Sequence, residues 1–128
     1  MPACENSSWT INISNDKTPG QLETLFFDLQ INGGNVTGKV ELDSIKLSDV
    51  SGSCAAIPSR DISVMQLTFT WGRTGIFLVG VTFFESPLTK FKGRFLGFAA
   101  EVPLALDLKT VHVPPDPGDT GTGTGQQT

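Results

Sequence analysis

The residue types that most often perform acid–base catalysis or bind metal ions are scarce in this sequence. His112 is the one histidine in 128 residues, and Asp107 and Asp116 near it would allow a Ser–His–Asp arrangement. A histidine beside a segment rich in proline and glycine is more typical of the protein surface. Asp116 and Asp119 make a weak calcium site, because calcium takes about six to eight oxygen ligands. We therefore expect no catalytic residue, no metal site, no cofactor and no enzymatic activity.

Composition and charge argue against two classes of partner. The chain has 9 Lys+Arg against 13 Asp+Glu, a formal net charge of −4, and no basic cluster of the kind that binds nucleic-acid phosphates. No apolar run reaches the roughly 18–20 residues that span a bilayer as a helix. With 38% hydrophobic and 17% charged residues, the chain suits one packed domain. Composition thus favours a binding or structural domain without nucleic acid and without a membrane span.

The two cysteines and the chain start bear on the cellular compartment. Cys4 and Cys54 could close a disulfide across about 50 residues, which in a chain-entropy model stabilises the fold by roughly 3–4 kcal/mol. Two free thiols are the alternative. The first residues lack the basic and apolar regions of a signal peptide. We expect a secreted or extracellular protein, or a cytoplasmic one if Met1 is the native start. Sequons for N-glycosylation begin at Asn6, Asn12 and Asn35.

Apolar and polar residues alternate with a period of two along most of the chain, and no stretch has a helical period. Asn-Gly-Gly-Asn at 32–35 and Gly-Arg-Thr-Gly at 72–75 are typical of hairpin turns, because glycine and asparagine accept positive φ. The apolar residues fall at even positions from 36 to 42 but at odd positions after Ser44, and this change of parity predicts a bulge or bend. The pattern predicts eight strands, at residues 9–14, 25–31, 36–47, 55–57, 65–71, 76–84, 91–100 and 104–113.

Strands joined by short turns pair with their neighbours in sequence to form an antiparallel sheet. Because an open sheet has two exposed edges, we expect an all-β, eight-stranded antiparallel up-and-down barrel, with a β-sandwich as the alternative. The barrel domain is expected over residues 7–113, after a flexible N-terminus at 1–6. Three prolines and the Gly-Thr repeat that follows them predict a flexible tail over residues 114–128.

Several short motifs occur in an order known from one family of barrels. They are Trp9 at the start of the first strand, Thr-Gly-Lys at 37–39, Leu-Thr-Phe-Thr-Trp at 67–71, Gly-Val-Thr-Phe-Phe at 80–84 and Phe-Leu-Gly at 95–97. Together they resemble the avidin/streptavidin family, which has Trp-Leu-Leu in the last of these positions. The resemblance implies a barrel that binds biotin or another small hydrophobic ligand and assembles as a homo-oligomer.

Trp71 is the first candidate for ligand contact, because it ends an alternating strand beside a glycine turn and could wall the barrel mouth. A purely structural core aromatic is the alternative. The chain departs from the family at the residues that hold the biotin ureido group, since it has no Tyr and Val40 stands where that Tyr would fall. The other candidate ligand-binding residues are Asn12, Ser14, Thr37, Thr70 and Phe95.

Residues 76–84 and 95–100 are apolar on both faces, and a barrel interior takes up only one of those faces. We therefore expect a second copy of the chain, or a neighbouring protein, to cover the outer face. The expected oligomer interface comprises Phe77, Val79, Val81, Phe83, Leu96 and Phe98. The alternative function is a structural or protein-interaction module whose interior is filled by large side chains such as Phe27, Leu29 and Phe69.

Overall fold

The computed structural model describes residues 4–100 and 113–128, and in them eight antiparallel strands close into one barrel. Each strand pairs with its neighbour in sequence, and the last strand pairs with the first. The predicted all-β up-and-down barrel is confirmed, and the sandwich alternative is excluded. The strands are β1 (Ser7–Asn15), β2 (Glu23–Asn32), β3 (Asn35–Leu42), β4 (Ile45–Ile57), β5 (Ile62–Trp71), β6 (Thr74–Glu85), β7 (Leu88–Ala99) and β8 (Thr120–Gln127). Within the described residues, no helix is long and apolar enough to cross a membrane.

The change of parity at Ser44 marks a hairpin rather than a bend within one strand. Asp43 and Ser44 have φ values of 52° and 67°, which is the positive-φ pair that a tight two-residue turn between antiparallel strands requires. The bulge lies just before this turn, between Val40 and Glu41. The single strand predicted over residues 36–47 is therefore β3 and the start of β4, and the short strand predicted at 55–57 is the end of β4.

The closing strand differs from the prediction. A strand was predicted over residues 104–113. Residues 104–112 of it lie outside the described residues, and Val113 is not in a strand. The barrel is closed instead by β8, which lies within the predicted flexible tail and pairs with both β1 and β7. The Gly-Thr repeat has the period of a strand, but its alternate residues are glycines and so carry no hydrophobic signal.

The glycines of β8 allow it to fit against its neighbours. A Cβ atom on Gly121 would lie well inside 3.0 Å of both the Ser14 carbonyl oxygen and the Phe95 ring, and one on Gly125 would meet the Thr10 carbonyl oxygen. Gly123 faces Leu78 and Ile13 side chains in the same way. Over residues 121–125 the inner face of β8 is therefore formed by backbone alone, and side chains from other strands occupy the space beneath it.

Side chains from β1 to β7 fill the barrel interior. Phe27 and Phe69 pack edge to face with ring centroids 5.3 Å apart. Leu29, Leu67 and Phe95, which the alternation also predicts to point inward, are at most 2% exposed. The buried hydrophobic residues form one core cluster. Because the tube is occupied by its own side chains, a ligand would have to bind at an end of the barrel or on its surface.

The two ends of the barrel differ. The β1–β2, β3–β4 and β5–β6 connections lie at one end, which we call the mouth, together with the end of β7 and the start of β8. At the opposite, closed end, a disulfide joins Cys4 to Cys54, and the Ile31 backbone N–H donates to Asn6 Oδ1 at 2.8 Å. Residues 4–6 are thus attached to the barrel and are not the free terminus that the sequence suggests, and residues 1–3 lie outside the described residues.

An apolar outer face covers part of β5, β6 and β7. Val79, Leu96 and Phe98 are exposed by 37%, 46% and 39%, and Phe77 is half-buried opposite Leu96 in the β6–β7 register. Val81 and Phe83 are likewise half-buried on β6. All six residues of the expected oligomer interface therefore lie outside the core cluster, on the outer side of the barrel wall.

We predict that Gly121→Ala lowers the free energy of unfolding by at least about 2 kcal/mol, because the new methyl group has no room against the Ser14 carbonyl and the Phe95 ring. Gly20→Ala is the matched control, since nothing lies within 4 Å of a Cβ there, and it should change stability by less than about 0.5 kcal/mol. Urea unfolding measures both. Equal stability of the two variants would show that β8 does not close the barrel as described.

Candidate functional site

A cavity of about 360 Å³ lies at the mouth of the barrel. Its walls come from the end of β1, the β1–β2 connection, the end of β5 and residues 113–119, which we call the strap. Ile13, Trp71 and Pro114 contribute apolar surface, and Asn15 and Gln21 contribute polar groups. This volume lies within the range of small-molecule sites, roughly 300–1,000 Å³.

The strap is held across the mouth by backbone hydrogen bonds to β7. The Gly97 N–H donates to the Asp119 carbonyl and the Gly118 N–H donates to the Gly97 carbonyl, both at 2.8 Å. A Cβ on Gly97 would lie 2.7 Å from the Asp116 carbonyl oxygen, so glycine at this position lets the strap lie close to the sheet. The strap therefore forms a defined wall of the cavity.

Asp119 joins the strap to β1 and the β1–β2 connection. Its Oδ2 accepts hydrogen bonds from Asn15 Nδ2 at 2.9 Å and from the Asp116 backbone N–H at 2.8 Å. Its Oδ1 lies 2.9 Å from Lys17 Nζ, which also lies 3.2 Å from Asp116 Oδ2. The Asp119 side chain is only 9% exposed. Three donors on one sheltered carboxylate fix both walls of the cavity relative to each other.

These contacts change the proton affinity of the groups involved. Burial acts to raise the pKa of Asp119, but the hydrogen bonds from Asn15, Asp116 and Lys17 outweigh it, so the pKa lies below the ordinary value of 3.8. The same contacts, first with Asp119 and then with Asp116, raise the pKa of Lys17. The charged forms of both side chains are therefore favoured in the folded protein.

A second ion pair binds the β1–β2 connection to the barrel wall. Arg94 Nη2 lies 2.7 Å from Asp16 Oδ2, and the Thr120 hydroxyl donates to the same oxygen at 2.8 Å. These two hydrogen bonds lower the pKa of Asp16. Both side chains of the pair are about half exposed, so the pair is screened by solvent and contributes less than the Asp119 contacts.

Trp71 is the one predicted ligand residue that lines the cavity. It is 2% exposed, and its Nε1 is a buried side-chain polar atom without a hydrogen-bond partner among the described residues. Trp9, by contrast, donates from Nε1 to Ser7 Oγ at 2.8 Å. A buried N–H without an acceptor costs roughly 1–3 kcal/mol, and this makes Trp71 unusual in the molecule.

The other predicted ligand residues do not line this cavity. Asn12 and Ser14 are half-buried on the polar face of β1, where Asn12 Oδ1 accepts from the Thr24 hydroxyl at 2.7 Å. Thr37 is exposed on β3, and Thr70 is half-buried with its backbone N–H donating to Ser48 Oγ. Phe95 is buried in the core. Strand alternation explains the first four, because each of them lies between two inward positions of its strand.

Asn15, Lys17 and Asp119 are residues of the cavity that were not predicted from the sequence as ligand-binding residues. Asn15 lies just beyond the first predicted strand, and Asp119 falls in the predicted flexible tail. The alternation itself held one clue, because Asn15 continues the inward parity of Ile11 and Ile13 at the end of β1. Nothing in the sequence pairs Asn15 with Asp119, which is 104 residues away.

No family model, curated protein or solved structure matches the chain. In the described residues, no group of three or more His, Cys, Asp or Glu side chains could hold a metal ion.

We predict that stability falls with acidification in a way that depends on Asp119. Stability from a carboxylate with a lowered pKa is present above the ordinary value of 3.8 and is lost as the pH falls through the lowered value. The free energy of unfolding should therefore decrease below about pH 4, and Asp119→Asn should make that decrease shallower. Asp49→Asn, on an exposed carboxylate paired only with Lys46 among the ion pairs described, is the control. Identical pH slopes for wild type and Asp119→Asn would contradict the prediction.

Proposed function

We propose that the protein binds a small ligand in the mouth cavity and does not transform it chemically. The observation that carries this proposal is the cavity itself, about 360 Å³ walled by Trp71, Ile13 and the strap. Concave sites with apolar walls and a few fixed polar groups are the usual form of small-molecule sites. The contacts of Asp119 support the proposal further, since they order both sides of the cavity before a ligand arrives.

The filled interior sets the depth at which the ligand is held. Ile13 and Trp71 form the base of the cavity at the upper end of the core, so we infer that the ligand lies in the mouth, above the packed tube. Biotin is one candidate ligand because of the resemblance to the avidin family, and other small hydrophobic molecules are equally suited to these walls. We propose a secreted or extracellular location on the support of the Cys4–Cys54 disulfide.

The ligand proposal predicts a thermal shift that can be blocked at the cavity. A panel of biotin and small hydrophobic molecules should contain at least one member that raises the thermal midpoint and changes Trp fluorescence. At 100 times its Kd, such a ligand stabilises the fold by about 2.7 kcal/mol. Thr18→Trp, which places a large side chain at the cavity wall, should abolish the shift.

Thr37→Trp is the matched control for that experiment, because Thr37 is exposed on β3 away from the cavity. This variant should bind the active member of the panel as the wild type does. No shift with any member of the panel, or equal shifts in the two variants, would overturn the proposal.

The apolar outer face supports a second proposal, that the barrel assembles as a homo-oligomer. Val79, Leu96 and Phe98 lie exposed on adjacent strands of one face, and contiguous apolar surface of this kind is costly in water. A second copy of the chain presents the same face, so a two-fold arrangement would cover both at once. This interface lies on the outer wall and leaves the mouth cavity free.

Light scattering at micromolar concentration should therefore give a particle of at least twice 13.7 kDa. Leu96→Glu should reduce the mass to that of one chain, because it places like charges against each other in the apolar interface. Gln30→Glu, on the exposed face of β2, is the control and should leave the mass unchanged. A wild-type particle of about 14 kDa would contradict the proposal of a homo-oligomer.

A protein-interaction module with no small ligand is the rival function. The filled core favours it, since the barrel needs nothing inside the tube to be stable. The ligand panel distinguishes the two functions. A protein-interaction module requires that no member of the panel binds while the outer face still binds a partner protein.

A further inference from the structure

We propose that the ligand of the mouth cavity is an uncharged molecule that accepts a hydrogen bond from Trp71 Nε1, with a carbonyl-type oxygen on a compact apolar body. This inference rests on the proposed function and names its ligand class. It is carried by three observations: the indole N–H without a partner, the donors that already occupy the oxygens of Asn15 and Asp119 in the cavity lining, and the sign of the charge on the described residues around the cavity.

The indole N–H of Trp71 is exceptional among the buried polar groups. It is the buried side-chain donor for which the described residues provide no acceptor, whereas the buried hydroxyls of Ser63 and Thr82 bond to each other. Tryptophan N–H groups in proteins usually find a partner when they are buried. An acceptor brought to this atom would therefore recover a hydrogen bond that the folded chain alone does not make.

Two of the side-chain acceptors that line the cavity, Asn15 and Asp119, already have donors. Asp119 accepts from Asn15 and from the Asp116 N–H and is paired with Lys17. Asn15 Oδ1 accepts from the Lys17 backbone N–H at 3.0 Å. Turning either side chain toward the indole would break contacts that hold the strap. Because the described residues give Trp71 Nε1 no acceptor, we infer that the ligand supplies one, through the small side-chain adjustment that binding sites commonly undergo.

The charge of the described residues around the cavity disfavours an anionic acceptor. The charged residues that line it are Lys17, Glu23, Asp116 and Asp119. Leaving Glu23 aside, the Lys17 ammonium against the carboxylates of Asp116 and Asp119 is a formal charge of −1, and these three groups pair with one another. A carboxylate or phosphate would meet net repulsion there, so a neutral oxygen acceptor is the better match for the indole N–H.

Three small probes with one carbon frame test the inference. Indane carries no acceptor, 1-indanone adds one carbonyl oxygen, and indane-1-carboxylate carries a negative charge. We expect 1-indanone to bind about tenfold more tightly than indane, because it satisfies a buried donor, and the carboxylate to bind most weakly. Binding is followed in ¹H–¹⁵N spectra of the folded wild-type protein, in which the two tryptophans give two indole N–H signals.

The indole signals distinguish the hydrogen bond from simple contact. With 1-indanone, the Trp71 indole proton should move downfield, while that of Trp9, already bonded to Ser7 Oγ, should stay in place. Trp71→Phe keeps an aromatic wall without the N–H and should reduce the advantage of 1-indanone over indane to nothing. Trp9→Phe is the matched variant and should retain it; the wild-type spectra decide the matter even if Trp71→Phe does not fold.

The outcomes separate this inference from the proposed function. Equal binding of indane and 1-indanone at the cavity, or tightest binding of the carboxylate, would overturn the inference and leave small-ligand binding intact. Absence of binding by all three probes at their solubility limits would also overturn the inference. The proposed function is decided independently by the wider panel and the Thr18→Trp variant.

Discussion

Pairing of β8 with β1 is the constraint on which the rest of the structure depends. It supplies hydrogen-bond partners for both edges of the sheet, so no strand is left open. It requires glycine on the inner side of β8, because the Ser14 and Thr10 carbonyl groups and the Phe95 ring occupy that space. It also places Asp119, at the entrance to β8, beside Asn15 at the end of β1, and so builds the mouth cavity as a by-product of closure.

The period of two was sufficient to predict most of the fold. Strands β2 and β5 carry one apolar and one polar residue in turn, and their predicted positions agree with the structure to within a few residues. The prediction failed at β8 for a physical reason. Hydrophobic alternation detects a strand by the apolar side chains that it buries. The inner residues of β8 at positions 121, 123 and 125 are glycines, so the segment has the composition of a flexible tail. The Phe95 and Leu78 side chains, from β7 and β6, fill the space that side chains at Gly121 and Gly123 would otherwise occupy.

The site was predictable only in part. Trp71 could be placed at the mouth because it ends a regular strand next to a glycine turn, and the structure puts it in the cavity wall. Asn12 and Thr70 were sensible polar candidates but lie on the wrong side of their strands, since parity is fixed by which residues the core takes up. The contact between Asn15 and Asp119 joins segments 104 residues apart, and no local pattern encodes such a pair.

The seam between β1 and β8 has a consequence for biosynthesis. Of the eight strands, β1 leaves the ribosome first and β8 last, so the nascent sheet has seven strands and two bare edges until the Gly-Thr repeat emerges. A contact between such distant segments forms slowly, because a long stretch of chain must be ordered before the ends meet. During that interval the apolar outer wall and the open edges are exposed together, and neighbouring nascent chains could pair through them. Pairing of the repeat with β1 and β7 is therefore the step that covers both open edges of the sheet.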